Sequence, residues 1–236
     1  MTTAKSSFSI LAMGLLLAVA VVSGQESAKS PVRGRLILPG GGPLAGAVVT
    51  VQKRVPNITP ATQRKEGSAT TLNGDFETNG VEEGEYDLCV GVDPHLGVLD
   101  PCEWPGEAKR LNVSAANRSA TMIQLATGPR LKFVLEDRGR LLRHPREPVG
   151  FLPSALIGAF DAAGFFHVAR MVSADRGVFI YILPVPRGTQ YTVHVSAPGL
   201  KFAEGGGTAK ATVSNPLAVT ANERRDEIVT SLVVSK

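Results

Sequence analysis

The chain has few of the residues on which catalytic sites are usually built. Its 236 residues include only four His, two Cys and one Trp, and aromatic residues make up 6% of the sequence. No Gly-x-Ser-x-Gly segment is present, so a serine hydrolase has no visible nucleophile. Lys and Arg interleave with Asp and Glu and the net charge is only +4, so the sequence predicts no nucleic-acid interface.

One segment nevertheless has the spacing of two zinc ligands. His144 and Glu147 form the His-x-x-Glu pattern that metallocarboxypeptidases use. Catalytic zinc needs three protein ligands, and only His167 or His194 could supply the third. The pair lies between prolines in a turn-rich loop, where such a spacing often arises by chance. We therefore predict no catalytic residue, metal or cofactor, and keep a zinc-dependent peptidase as a distant alternative.

The N-terminus carries an apolar run that predicts export. Ile10–Val22 is 13 residues long, follows Lys5 and is succeeded by small residues before Gln25. A bilayer span needs about 20 residues, so this length is typical of a secretory signal peptide. We predict a signal peptide over residues 1–24 and a secreted or periplasmic protein without a membrane span after cleavage. An uncleaved membrane anchor is the alternative.

Export changes the interpretation of the two cysteines and of the single tryptophan. In an oxidising compartment we expect Cys89 and Cys102 to form a disulfide, with two free buried thiols as the alternative. Trp104 lies two residues after Cys102. An exposed indole there could stack on a sugar ring, whereas a buried one would pack over the disulfide and close the core. The second interpretation is favoured, and Trp104 stays a candidate ligand-binding residue.

The remaining sequence predicts short strands, since 25 Gly and 16 Pro punctuate it and no window has helical periodicity. We predict an all-β protein of two antiparallel β-sandwich domains, residues 25–127 and 128–236, divided near Ala126–Arg130. A short strand is expected at Phe76. The other predicted strands are Gly34–Leu38, Ala47–Lys53, Glu85–Val92, Ala108–Val113, Arg118–Leu125, Leu131–Glu136, Ala155–Phe160, Phe165–Val172, Val178–Leu183, Gln190–Ala197 and Glu227–Val234.

A pattern of Gly-x-Phe, Gly and Tyr occurs twice, in residues 70–92 and 173–195. The paired positions are Gly74 and Gly177, Phe76 and Phe179, Gly84 and Gly188, and Tyr86 and Tyr191. Alternation predicts that Tyr86 and Tyr191 face a core, while Cys89 and His194 point outward from equivalent strands. We interpret each copy as a β-hairpin in the middle of a sandwich.

Residues 31–92 resemble the carboxypeptidase regulatory-like domain. The matching positions are Gly42, Pro43, Leu44, Gly46, Ala47, Val49, Gly74, Phe76, Gly84, Tyr86 and Leu88. The resemblance implies a transthyretin-like sandwich of the carbohydrate-binding-like superfamily, similar to exported acidobacterial proteins. Members are usually accessory domains without chemistry of their own. Residues 129–236 lack the family's opening motif, so a related but divergent sandwich is expected there.

These observations together favour an exported, non-enzymatic binding module. Carbohydrate or envelope-glycan binding is the first hypothesis, because the family resemblance implies it and Trp104 adds weak support. A structural or protein–protein interaction role in the cell envelope is the alternative. The ligand and the oligomeric state are left open by the sequence.

Overall fold

The structure is a computed structural model. It describes residues 30–54, 64–65, 70–107, 109–114, 119–146, 152–204, 217–221 and 225–236. The predicted signal peptide and Glu147 lie outside these residues. Among the residues described, no helix is long and apolar enough to cross a bilayer.

Among the described residues, the N-terminal half contains seven strands in two sheets. One sheet has the order β4-β1-β7 and the other the order β3-β2-β5-β6. Between the sheets lies a cluster of buried aliphatic side chains together with Phe76 and Tyr86. The strands are β1 (Ser30–Ile37), β2 (Val48–Lys53), β3 (Arg64–Lys65), β4 (Asp75–Val81), β5 (Gly84–Gly91), β6 (Arg110–Val113) and β7 (Ser119–Gln124).

In the part of the C-terminal half that the structure describes there are nine strands, again in two sheets. Their orders are β11-β12-β8-β16-β14 and β10-β9-β13-β15. A second hydrophobic cluster lies between them. The strands are β8 (Arg130–Glu136), β9 (Leu156–Phe160), β10 (Phe166–Val168), β11 (Arg170–Asp175), β12 (Val178–Pro184), β13 (Gln190–Ser196), β14 (Lys201–Glu204), β15 (Leu217–Thr220) and β16 (Glu227–Ser235).

The two halves share one strand order. The order β4-β1-β7 in the N-terminal half corresponds to β12-β8-β16 in the C-terminal half. Likewise, β3-β2-β5-β6 corresponds to β10-β9-β13-β15. The C-terminal half has two additional edge strands, β11 and β14. The prediction of an all-β protein is confirmed. The expectation of wholly antiparallel sheets is not, because β7 runs parallel to β1 and β16 runs parallel to β8. In each half the strand that comes last in the chain lies beside the strand that comes first, β7 beside β1 and β16 beside β8. The local pattern of residues cannot reveal such a pairing.

The hairpin interpretation of the repeated segment is wrong. β4 pairs with β1, whereas β5 pairs with β2 and β6, so the two consecutive strands belong to opposite sheets. The same holds for β12 and β13, which pair with β8 and β9 respectively. Each copy is therefore a corner that crosses from one sheet to the other. Both strands of each copy point alternate side chains into the core. Two strands on opposite sheets of a sandwich produce this pattern as well as two paired strands of a hairpin do.

The first glycine of each copy has a defined role in the turn just before the strand that leads to this corner. Gly74 has φ +77° and Gly177 has φ +80°, a region that favours glycine. A Cβ on Gly177 would lie 2.7 Å from the Asp137 carbonyl oxygen, and one on Gly74 would collide with the carbonyl of Leu36. Leu36 and Asp137 donate their N–H groups to the Gly74 and Gly177 carbonyls, over 2.9 and 2.7 Å. The two segments thus dock in the same way on the first strand of each half.

The tyrosines close these corners and are buried, as predicted. The Tyr86 hydroxyl donates to the Glu82 carbonyl over 3.1 Å, and the Tyr191 hydroxyl donates to the Pro186 carbonyl over 3.3 Å. Burial raises the pKa of Tyr191 to about 12. The turn before Tyr191 accommodates the extra residue of the second copy. Both tyrosine rings therefore lie in a core while their hydroxyl groups still form hydrogen bonds.

One predicted strand is divided in the structure, and three short strands are not predicted by the sequence. The predicted strand Phe165–Val172 is two strands, because the chain pairs with β9 as far as Val168 and joins β12 from Arg170. The strands that the sequence does not predict are β3, β14 and β15. All three are edge strands of two to four residues, and such short elements contain too few residues to establish an alternation.

The halves contact each other through the loop that follows β5. Leu99 and Trp104 of this loop belong to the hydrophobic cluster of the C-terminal half. Gly128 donates its N–H to the Gly97 carbonyl over 2.8 Å, and Arg130 donates from Nη1 to the His95 carbonyl over 2.6 Å. The predicted boundary near Ala126–Arg130 is thus bonded to this loop. The division into two domains stays a prediction.

Candidate functional site

The loop after β5 is held by the disulfide and by one carboxylate. Cys89 and Cys102 are bonded, with their Cα atoms 5.0 Å apart, and the bond closes a loop of 13 residues in sequence separation. Asp100 Oδ1 accepts from the N–H groups of Val90 and Cys102, over 2.9 and 3.0 Å. As alternation predicts, Cys89 faces away from the core of its own sandwich. The disulfide and Asp100 together hold the loop against β5 and so determine the position of residues 103 and 104.

Trp104 does not form an exposed stacking surface. Its side chain is only 4% exposed and lies in the core of the C-terminal half. The indole stacks on the ring of His167, with centroids 3.8 Å apart and planes 19° from parallel, and it meets Tyr191 edge-on at 6.0 Å. The favoured interpretation of a buried Trp agrees with this position. The expected place differs, because the indole enters the neighbouring half rather than the core beside its own disulfide.

His167 lies between two carboxylates beneath this ring. Its side chain is 5% exposed, with Nε2 3.2 Å from Asp161 Oδ2 and Nδ1 3.6 Å from Glu103 Oε1. Burial lowers the pKa of His167, but the hydrogen bonds and charges of Glu103 and Asp161 outweigh it and hold the pKa above its usual range. Burial likewise acts to raise the pKa of Asp161, yet bonds from His167, Phe165 and Ala163 lower it overall.

A cleft opens above this group, between the outer face of β2 and β5 and the wall formed by residues 168 and 170. Its volume is about 710 Å³. The floor is the outward side of the sheet together with the disulfide, and carboxylate side chains stand at one margin. The lining residues are Val48, Thr50, Gln52, Cys89, Gly91, Asp100, Cys102, Glu103, Val168 and Arg170.

Arg170 and Glu103 place opposite charges on this cleft. Arg170 Nη1 donates to the Val92 carbonyl over 3.2 Å, which holds the guanidinium against the N-terminal half. The Glu103 carboxylate is 31% exposed and is shared between His167 and the cleft. Thr50 and Gln52 add a hydroxyl and an amide from β2. The cleft thus offers both donors and acceptors beside apolar surface.

The structure brings no three zinc ligands together among the residues it describes. Glu147 lies outside those residues. His144 Nε2 lies 3.1 Å from the Ala174 carbonyl, and Nδ1 accepts from the Arg146 N–H over 3.2 Å. His167 is held by its two carboxylates. His194 lies on the outer face, as alternation predicts, with its ring about 6 Å from those of two Phe residues.

Sequence reasoning identified Trp104 but missed its neighbours at the site. Glu103 is adjacent to Trp104 and could have been nominated on that ground alone. Gln52 and Arg170 carry no motif, and they approach each other only because the halves dock. The sequence suggests His167 only as a third zinc ligand, although its side chain is the inward-facing one of the three in β10.

No protein-family model matches the sequence, and no curated protein matches it either. The resemblance to the carboxypeptidase regulatory-like domain therefore stays a prediction.

Several solved structures are similar to this chain at low identity. The minor pilin GBS52 of Streptococcus agalactiae is 12% identical, with 87% of this chain and 96% of that chain covered and a TM-score of 0.36. The TIE protein of Bacillus anthracis is 15% identical, with 88% of this chain but only 34% of that chain covered and a TM-score of 0.31.

A third similar structure is a Pseudomonas aeruginosa protein with a provisional assignment as carbohydrate binding. It is 16% identical, with 43% of this chain and 90% of that chain covered and a TM-score of 0.28. Similarity at this level carries no argument about this protein. The chain described in this structure is assigned to the all-β class from its own strands alone.

Proposed function

We propose that the protein is an exported, non-enzymatic binding module and that the cleft beside the disulfide holds its ligand, a carbohydrate such as an envelope glycan. The observation that carries the proposal is the lining of the cleft. Thr50, Gln52, Glu103 and Arg170 put donors and acceptors around one space, next to the apolar side chains of Val48 and Val168.

This mixture suits a polyhydroxylated ligand. Each sugar hydroxyl both donates and accepts, so it needs partners of both kinds, while the C–H faces of a pyranose pack on apolar side chains. A volume of about 710 Å³ falls in the range of about 300–1,000 Å³ that small-molecule sites occupy. The family resemblance of residues 31–92 supports the same ligand class. The predicted signal peptide and the disulfide support an extracytoplasmic location.

A glycan array on the chain without residues 1–24 tests the proposal, followed by calorimetric titration of any glycan found. The double variant Gln52→Ala/Arg170→Ala removes two polar groups from the cleft. We expect it to bind at least about tenfold more weakly, since each hydrogen bond lost contributes about 1 kcal/mol. Arg138→Ala is the matched control, because Arg138 is 80% exposed and pairs with Glu136 away from the cleft. Absence of binding to any glycan, or equal binding by the double variant, overturns the proposal.

A protein-interaction role is the second candidate, and a specific surface favours it. The outer face of the five-stranded sheet presents Val229, which is 55% exposed, and Val178. Both flank β8 on the side away from the core, where they pair with Lys132 and Glu136. A partner captured from envelope extract that is lost with Val229→Lys but retained with Gln52→Ala/Arg170→Ala would favour this role.

A further inference from the structure

A largely buried cluster of charged and aromatic side chains joins the two halves. Glu103 and Trp104 come from the loop after β5, whereas Asp161 and His167 come from the β9–β10 turn and from β10. The imidazole is flanked by the two carboxylates, at 3.6 and 3.2 Å, and one of its faces is covered by the indole at 3.8 Å. All the contacts of Glu103 and Trp104 with His167 therefore cross between the halves.

The protonation state of the His167 imidazole decides whether this arrangement is favourable. A neutral imidazole has one N–H donor and one acceptor nitrogen, while an ionised carboxylate only accepts. With carboxylate oxygens facing both ring nitrogens, a neutral His167 would direct a lone pair at one of them. The imidazolium donates a charge-assisted hydrogen bond to Asp161 and forms an ion pair with Glu103 at 3.6 Å. Its positive charge also favours the face of an aromatic ring.

We propose that the proton on His167 is a latch that keeps the loop Asp100–Trp104 docked on the C-terminal half. When His167 loses this proton to solvent, one carboxylate contact becomes repulsive. Asp161 is fixed by the Ala163 and Phe165 N–H groups, each at 2.9 Å from its Oδ1. Glu103 is the partner that can move, because it is partly exposed and its contact is the longer one.

The direction of the pH dependence follows from the contacts. The pKa of His167 is raised in the folded protein. Its contribution to stability is therefore fully present below the unfolded-state pKa of about 6.5 and is lost as the pH rises through the folded-state pKa. The other titratable or charged groups nearby are Tyr191, which meets the indole edge-on and interacts with the charge of Asp161, and Asp100 and Arg170, which line the cleft beside Glu103.

The latch goes beyond ligand binding and can be tested without a ligand. Because Glu103 also lines the cleft, its release would change the charge presented there, a consequence that rests on the proposed function. The structural part of the proposal concerns only how the loop is held.

The test is an NMR titration of His167 from about pH 5 to about pH 9, which spans the ordinary range of histidine. The His167 ring protons, the Glu103 side-chain carboxyl carbon and the amide protection factors of Leu99–Trp104 are followed together. A protection factor compares the observed exchange with the intrinsic exchange at the same pH, so it removes the increase that hydroxide catalysis alone produces. We expect all three quantities to change with one midpoint, and the protection of the loop to fall above it. Glu103→Gln should lower the midpoint. Glu107→Gln is the matched control in the same loop and should leave it unchanged.

The outcome that overturns the latch is a His167 midpoint that does not fall in Glu103→Gln, or protection factors of the loop that are constant across the titration. His167→Gln provides an independent check, because its thermal midpoint should lose the pH dependence of the wild type over this interval. If His167→Gln does not fold, the Glu103→Gln comparison decides the question, since Glu103 is partly exposed and its amide is nearly isosteric.

Discussion

Replacing Trp104 tests how the two halves are held together. Trp104→Ala removes a side chain that is 4% exposed in the core of the C-terminal half, and truncations of this kind cost about 3–5 kcal/mol. Loss of the stacking on His167 contributes about 0.5–1.5 kcal/mol of that sum. For a chain of this size, about 2–4 °C per kcal/mol gives a decrease in melting temperature of roughly 6–20 °C.

The assay is urea unfolding followed by far-UV circular dichroism, with thermal unfolding as a second measurement. Phe165→Ala is the control, because Phe165 is a large aromatic residue that is 62% exposed, and it should change stability by less than about 1 kcal/mol. The wild-type chain has a single Trp, so its fluorescence reports on this site alone. A loss below about 1 kcal/mol, or native fluorescence quenched by acrylamide as strongly as in urea, would refute the buried position.

Two further predictions concern covalent and backbone constraints. Replacing Cys89 and Cys102 by Ser should lower the unfolding free energy by about 3 kcal/mol, as expected for a loop of this size, and addition of reductant to the wild type should have the same effect in urea titrations. Gly177→Ala should destabilise more than Gly164→Ala, because both glycines have positive φ but only Gly177 abuts the Asp137 carbonyl. Equal losses in the two alanine variants would show that the close approach at Gly177 is not formed.

Much of the fold could be predicted because strand faces are a local property. Side chains alternate every second residue, so Tyr86, Leu88 and Val90 could be placed on a core face from the sequence, and all three are buried. The same reasoning placed Cys89 outward. The partner of each strand is not local, since an inward face can pack in a hairpin or across a sandwich. The repeated segment was therefore assigned its strands correctly and its pairing wrongly.

The candidate site was predictable only in part. The disulfide is expected from two cysteines and a predicted export signal, and a buried Trp is the ordinary outcome for that residue. The cleft is different, because Gln52 and Arg170 lie 118 positions apart and meet only when the halves dock. His167 gains only one of its two carboxylates in this way, because Asp161 comes from its own turn and Glu103 from the other half.

The sequence by itself thus determined where the longer strands lie, which of their faces are apolar and which cysteines can pair, because these depend on neighbours within a few positions. The tertiary structure alone decided that consecutive strands cross between sheets, that Trp104 enters the other half, and that Glu103 lies beside His167. Those features depend on which surfaces meet, and that is a property of the whole packed chain.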